Sequence, residues 1–265
     1  MILLIDIGNS RTKYVQYCEG KLSHRVQLAN EDFNIVYFTE YFNHVTQTIV
    51  ANVGHSSLTS ELSEWCTEQG IIFKQVHTEK VKDTLTSTLT SAYHDPSTLG
   101  IDRWLALLGA ISLFPKENVL IIDAGTATTL DLLASNGQHQ GGWILAGVKA
   151  LFNSILSHST LVHAKSKAAP NLAFGTSTTD NVNNACWAAT LGMIQQGIIQ
   201  AQQLGHIDRI ILTGGDGKAL TTLLLAQTNQ NIVDVQNIQF IDNIIFYGLQ
   251  TYTYNNAPTL QAKQS

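Results

Sequence analysis

Leu3-Leu4-Ile5-Asp6-Ile7-Gly8-Asn9-Ser10-Arg11-Thr12 stands near the start of the chain, and 117 residues later Leu120-Ile121-Ile122-Asp123-Ala124-Gly125-Thr126-Ala127-Thr128-Thr129 repeats its design. Each segment is an apolar run that ends in Asp-x-Gly. In both, a Thr follows the Asp by six positions (Thr12, Thr129) and a Gly follows it by fourteen (Gly20, Gly137). Four or five buried apolar residues make a central strand, Asp-x-Gly ends it, and the residues beyond start a returning strand. The second turn falls at Glu19-Gly20 and at Asn136-Gly137, a hairpin signal, with Asn-Gly the stronger because both residues tolerate positive φ. Each half of the chain is thus expected to open as a three-stranded antiparallel meander.

The pattern beyond each meander is mixed α/β. Residues 46–53 and 207–213 read as buried strands running into Gly54 and Gly214-Gly215, and helical stretches are expected at 57–69, 101–114, 147–158, 180–204, 216–227 and 241–252. The repeat divides the chain into residues 1–115 and 116–265. A cleft between two such halves would place Asp6 and Asp123 opposite one another, each at the carboxyl end of a first strand, where open α/β sheets bind ligands. A lone Asp-x-Gly is usually only a turn; the duplication weighs against that reading.

Composition narrows the function classes. The 265 residues are 44% apolar and only 13% charged, enough for a sizeable core. Fifteen Lys and Arg stand against twenty Asp and Glu with no basic run, which argues against a nucleic-acid partner. Met1 to Ile7 lacks a basic n-region and meets Asp6 after four apolar residues, so it does not read as a signal peptide, and no stretch approaches the ~20 apolar residues of a membrane span. Cys18, Cys66 and Cys186 are odd in number and widely spaced, which fits reduced thiols and a cytoplasmic location better than a disulfide framework or a zinc site. Nine histidines show no metal-ligand spacing.

The chemistry carried by the first turn is that of a phosphate grip. A nucleoside triphosphate needs backbone amides and cations around its β and γ oxygens. Gly8, Asn9, Ser10, Arg11, Thr12 and Lys13 supply a close backbone approach, hydroxyl and amide donors, and two cationic side chains. Asp6 and Asp123 can hold Mg²⁺ directly or through water, as that ion favours with one or two carboxylates. Other phosphate motifs fail: Gly217-Lys218 is followed by Ala219 and has Leu212 where a P-loop needs its first Gly, and no G-x-G-x-x-G follows the first strand. The Gly214-Gly215 turn could admit a flat purine, although such turns are commonly structural. Asp102, beside Arg103 and behind Gly100, has two readings from the residues alone. It is either an acidic charge at a helix start or a general base for an alcohol whose acceptor molecule is fixed by the neighbouring cation.

Over almost its whole length the sequence resembles the type III pantothenate kinases of the acetate kinase, sugar kinase, Hsp70 and actin superfamily. The resemblance is carried by Asp6-Ile7-Gly8-Asn9-Ser10-Arg11-Thr12-Lys13, by Tyr93 with Asp95-Pro96 and Leu99-Gly100-Ile101-Asp102-Arg103, by Asp123-Ala124-Gly125-Thr126, and by Gly175-Thr176-Ser177-Thr178. It implies two duplicated ribonuclease H-like lobes with mixed sheets flanked by helices, the actin-like ATPase architecture. It further implies transfer of the γ-phosphoryl of ATP to the primary hydroxyl of pantothenate, the first step of coenzyme A synthesis. By resemblance Asp102 is the general base, and residues 6–13, Ile7 included, wrap the phosphates. Thr126 touches ATP, and Tyr93, Gly100, Ile101, Asp102, Arg103 and Thr178 bind pantothenate. Asp6 lies nearest Mg²⁺, and Asp123 holds the monovalent cation, K⁺ or NH₄⁺. This last role departs from the Mg²⁺ reading made from the carboxylate alone, since a carboxylate with neutral oxygens suits either ion. Family members are homodimers. Ser10 stands where the family usually has Thr, and Thr176-Ser177 where many members have Arg-Asn. The alternatives are a kinase for another small hydroxy acid, a non-catalytic accessory transcriptional factor of the same fold, and a nucleotide-driven switch. The polar segment from His158 to Ala169 is expected to be a loop.

Overall fold

The structure is a computed structural model that describes residues 1–42, 44–54, 56–157, 169–227 and 235–253. Apart from Ala169, the polar segment 158–169 lies outside the described residues. Two compact units are present: one comprises Met1–Leu89, Tyr93–Leu113 and the chain from Ile244 onward, the other Thr90–Ala92 and Phe114–Asn243.

In the first unit β1 (Ile2–Ile7) runs antiparallel to β2 (Arg11–Cys18) and parallel to β5 (Gln47–Asn52), which is parallel to β6 (Ile72–Gln75). The short β3 (Lys21–Leu22) and β4 (Val26–Ala29) both pair with β2, and the sheet order is β3-β2-β1-β5-β6. Side chains alternate along β1. Leu3, Ile5 and Ile7 enter one core with Phe38 of α1 (Ile35–Tyr41) and with Leu62 and Trp65 of α2 (Ser56–Glu68). Leu4 and Asp6 therefore face the other way, toward the side on which α7 (Ile244–Gln250) meets β1 and α3 (Ile101–Leu113) meets β5. The small hairpin of β7 (Val81–Asp83) and β8 (Thr88–Thr90) follows β6.

The second unit repeats the plan. Its sheet order is β11-β10-β9-β12-β13, built from β9 (Val119–Ala124), β10 (Ala127–Leu133), β11 (His139–Ala146), β12 (Arg209–Thr213) and β13 (Ile238–Phe240). Here too the central strand is antiparallel to the next and parallel to the fourth. Leu120, Ile122 and Leu130 pack with Ile194 and Ile198 of α5 (Thr178–Leu204) and with Leu220 of α6 (Gly217–Gln227), and Phe152 of α4 (Val148–Ser157) completes that core. The mixed α/β fold with duplicated sheets agrees with expectation, and each expected helix is present to within a few residues.

The chain passes between units at Leu113/Phe114 and again at Asn243/Ile244, and Thr90–Ala92 makes a short excursion into the second unit. The C-terminal helix nevertheless belongs with the first unit, because α7 crosses α3 at a point where neither helix carries a side chain. A Cβ at Gly109 would run into the Ile244 carbonyl, and one at Gly248 into the Leu105 carbonyl. The two meander turns also differ. Glu19 (φ 48°) and Gly20 (φ 82°) form a two-residue turn with both residues left-handed. In the second copy only Gly137 (φ 82°) is left-handed. Its N–H donates to the Ala134 carbonyl, a four-residue turn, and Asn136 instead accepts the Gln138 N–H through its side chain.

Candidate active site

In the first unit, β1 delivers Asp6 to the sheet edge and the Gly8–Arg11 turn reverses the chain, closed by a 3.0 Å bond from Gly8 N–H to the Arg11 carbonyl. Ile7 is buried, Gly8 half-buried, and Asn9, Ser10 and Arg11 are exposed. The β1–β2 register sets Lys13 opposite Asp6 and Thr12 opposite Ile7. The Lys13 Nζ lies 3.5 Å from the Asp6 carboxylate, which is only 5% exposed. Burial pushes the Asp6 carboxyl above the usual carboxylate range; Lys13 draws it back and the negative charge of Asp102 pushes it up again. Thus Asp6 and Asp102, the expected base, share one electrostatic neighbourhood within this unit.

Asn30 also belongs to this loop, and no motif pointed to it. Its Nδ2 donates to the Gly8 carbonyl and its Oδ1 accepts from the Thr12 hydroxyl, both at 2.9 Å, while its backbone N–H donates to the Ser10 carbonyl at 3.1 Å.

Asp102 sits in the first turn of α3, where a carboxylate is favoured by the helix dipole. Its Oδ1 folds back to accept the Arg103 N–H at 2.8 Å. A side chain at Gly100 would run into that carboxylate, which explains the glycine. Arg103 is buried, and its Nη1 donates to the Tyr93 hydroxyl at 2.7 Å. The segment from Val76 to Lys80 braces this assembly: the Thr78 hydroxyl donates to the Leu99 carbonyl at 2.9 Å and Lys80 Nζ to the Tyr93 carbonyl at 2.7 Å. Behind it, Trp104 Nε1 donates to the Tyr252 hydroxyl, which donates in turn to Glu79. Burial pushes the Tyr252 phenol well above its ordinary range, so it remains a neutral donor. A cavity of about 480 Å³ opens against this start of α3, lined by Asn52, Val76, His77, Thr78, Leu99 and Gly100 among others. The sequence carried no signal for Thr78, Lys80 or Tyr252, whose roles exist only through tertiary contacts.

In the second unit Asp123 lies at the end of β9 and Thr129 is opposite it. Thr126 is exposed in the turn, and its carbonyl accepts the Gly147 N–H at 3.0 Å. A side chain at Gly147 would collide with the Gly125 and Thr126 carbonyls. Gly214 (φ 85°) passes so close to β9 that a Cβ there would meet both the Ala124 carbonyl and Asp123 Oδ1. Asp216 follows at the head of α6, its N–H donating to the Ala124 carbonyl at 2.9 Å, and burial raises its carboxyl. Thr178 is the exposed first residue of α5, behind the capping Ser177. Tyr93, Gly100, Ile101, Asp102 and Arg103 are thus gathered in one unit, and Asp123, Thr126 and Thr178 belong to the other.

Asp6 and Asp123 are the two carboxylates set at the ends of the central strands. Among the described residues no three His, Cys, Asp or Glu side chains gather as a metal cage. Asp6, desolvated and beside a second negative charge, is a carboxylate that a cation would relieve. Asp123 Oδ1 and the Ala124 carbonyl both lie against Gly214, a carboxylate and a neutral oxygen side by side.

Comparison with known proteins agrees with this geometry. Residues 2–201 match the family model described as type III pantothenate kinase. A type III pantothenate kinase of Colwellia psychrerythraea is 71% identical over 95% of this chain and 100% of its own length. Among solved structures, a conserved putative Baf family transcriptional activator from Campylobacter jejuni aligns at a TM-score of 0.54 and 24% identity, covering 96% of this chain and 98% of that one. A putative 2-dehydro-3-deoxygalactonokinase from Sinorhizobium meliloti aligns at 0.57 and 13% identity over 97% of this chain and 100% of that one. The structural likenesses carry the fold, that of the actin-like and sugar kinases, and the sequence match carries the family: this chain belongs to the type III pantothenate kinases.

Proposed function

We propose that the protein transfers the γ-phosphoryl group of ATP to the primary hydroxyl of pantothenate, giving 4′-phosphopantothenate for coenzyme A synthesis. The observation that carries this reading is Asp102, set at the head of α3 beside the Arg103–Tyr93 pair and within electrostatic reach of Asp6, directly after Gly100 and Ile101, which line a cavity of about 480 Å³. A nucleotide switch has no need of a base and a cation beside a second pocket. Arg103, fixed by Tyr93, presents a cation to the pantothenate carboxylate, and Gly100, Ile101 and Thr178 complete the acceptor set. The loop from Asp6 to Lys13 holds the triphosphate, with Thr126 a further ATP contact. Asp102 takes the hydroxyl proton as the oxygen bonds to the γ-phosphorus; the bond to the β–γ bridging oxygen breaks, and ADP leaves with that electron pair.

Mg²⁺, held at Asp6 through water, would neutralise phosphate charge, and K⁺ or NH₄⁺ at Asp123 would do so for the second unit's turn. We place the enzyme in the cytoplasm, with a second copy of itself as partner; exposed Trp143 and Ile144 on β11 and Leu204 on α5 are apolar surface that such a copy would cover. Sedimentation at micromolar concentration reads the dimer directly.

The test is a coupled ADP-release assay over pantothenate and other small hydroxy acids, with and without K⁺. Pantothenate-dependent turnover is expected, and Asp102→Asn lowers it by the ~10²–10⁴ typical of losing a general base while ATP still binds. Turnover with another hydroxy acid alone reassigns the acceptor. ATP binding with no acceptor turned over makes the protein a non-catalytic accessory factor of this fold.

A further inference from the structure

The Gly8–Lys13 turn is not self-supporting. Its Gly8 N–H donates to the Arg11 carbonyl, while the Gly8 and Ser10 carbonyls and the Thr12 hydroxyl are bonded from outside the loop. One residue, Asn30, meets all three. Nδ2 takes the Gly8 carbonyl, Oδ1 takes the Thr12 hydroxyl, and the backbone N–H takes the Ser10 carbonyl, at 2.9, 2.9 and 3.1 Å. Asn30 is itself held, because it starts the short helical turn Asn30–Asp32 directly after β4, and β4 is zipped to β2 from Arg11–Ala29 to Tyr14–Val26. The side chain is suited to the task. An amide offers a donor and an acceptor on two separate atoms side by side, whereas an ionised Asp could only accept and the shorter Ser would have to serve both partners through a single oxygen.

The consequence bears on phosphate binding. A carbonyl turned toward the ligand would oppose phosphate oxygens, and loop amides not spent within the turn, as the Gly8 N–H is on the Arg11 carbonyl, grip anions only while the neighbouring carbonyls point away. Asn30 draws the Gly8 carbonyl outward from the rear of the turn. We propose that Asn30 is a positioning residue for the triphosphate: it touches no substrate and acts by holding the phosphate loop in its anion-binding conformation before ATP arrives. This rests on the reading of residues 8–13 as the phosphate grip.

The experiment compares Asn30→Ala, Asn30→Asp and Lys13→Ala by steady-state kinetics in each substrate, by calorimetric titration with Mg²⁺ and a non-hydrolysable ATP analogue, and by thermal melting. Asn30→Ala is expected to raise KM for ATP and the analogue Kd by about tenfold, the equivalent of one ordinary hydrogen bond, with KM for pantothenate within twofold of the parent. Asn30→Asp keeps the Thr12 bond and loses the donor to Gly8. It is expected to weaken ATP at least as much, and it serves as the reading if the alanine variant does not fold. Equal rises in both KM values, or an unchanged Kd for the analogue, overturn the inference. If Lys13→Ala too leaves the analogue Kd unchanged, the phosphate-grip reading itself fails; if Lys13→Ala weakens binding and the Asn30 variants do not, only the bracing role is lost.

Discussion

The two Asp-x-Gly hairpins share a strand order and differ by one residue in the turn, and that residue changes what each carboxylate faces. In the first, Ile7 pairs with Thr12 and Asp6 with Lys13; in the second, Ala124 pairs with Thr128 and Asp123 with Thr129. The Thr that follows each Asp by six positions is therefore not the same residue structurally. Thr12 corresponds to Thr128, and the hydroxyl-for-ammonium exchange is between Thr129 and Lys13. The first hairpin carries a cation of its own beside a buried carboxylate, 3.5 Å away. The second sets a neutral hydroxyl residue there and brings Gly214 and the Ala124 carbonyl up to Asp123. The scaffold is kept in both copies, and the altered turn length sets a lysine opposite one carboxylate and a threonine opposite the other.

The sharpest way to break this comparison is to exchange the two residues. Lys13→Thr gives the first hairpin the second one's partner, and turnover is expected to fall by about 10²-fold, the order found for losing one preorganised electrostatic contact. Thr129→Lys does the reverse by placing an ammonium opposite Asp123. It is expected to leave turnover that responds less than twofold to added K⁺ or NH₄⁺, measured as rate against cation concentration in a Tris background. A Thr129→Lys enzyme that keeps the full cation response would move the ion away from Asp123.

The hairpins also differ in how their turns are held, one by a side chain from a neighbouring strand end and the other by backbone. Gly147 lies against the Gly125 and Thr126 carbonyls with no room for a methyl group. Gly147→Ala is expected to cost about 1–3 kcal/mol through overpacking, several degrees in melting temperature, and to weaken ATP through Thr126. Gly8 has its nearest obstacle at 3.1 Å, the Arg11 carbonyl, so Gly8→Ala is expected to cost less stability. A Gly147→Ala protein that melts with the parent would show that the second turn yields, and the contrast in rigidity would be lost.

What the sequence disclosed and what it hid follow from the range of the interactions. The central strands and the first turns are local: a run of apolar residues and an Asp-x-Gly suffice to place them, and Asp6, Asp123 and Asp102 were visible for that reason. The register was not, because a one-residue difference in turn length is invisible to a count of positions after Asp. Asn136-Gly137 misled in the same way, since a dipeptide gives the propensity for positive φ and the loop length decides which residue uses it. Asn30, Thr78, Lys80 and Tyr252 act across 18, 21, 13 and 148 residues of chain, and nothing in their own neighbourhoods marks them. The return of α7 to the first unit depends on Gly109 and Gly248 meeting, two glycines that look like helix-weakening residues until the crossing is seen.

The smallest effect tests the cost of the first hairpin's arrangement. Burial outweighs the attraction of Lys13, so the folded protein holds the Asp6 proton above the ordinary carboxylate value of 3.8. In the window above that value the unfolded chain releases its proton first, so the folded state binds more protons and stability declines as pH rises through the window. Asp6→Asn removes this ionisation while keeping an oxygen that can accept from Lys13. The variant is therefore expected to lose turnover and yet melt higher than the parent near neutral pH. The gain should shrink toward zero as the pH falls below 3.8, where the carboxyl is protonated in both states. An Asp6→Asn protein less stable than the parent at pH 7 would mean that the Lys13 contact exceeds the burial penalty, and the first hairpin would then be a stabilising ion pair instead of a carboxylate held at a cost for its ligand.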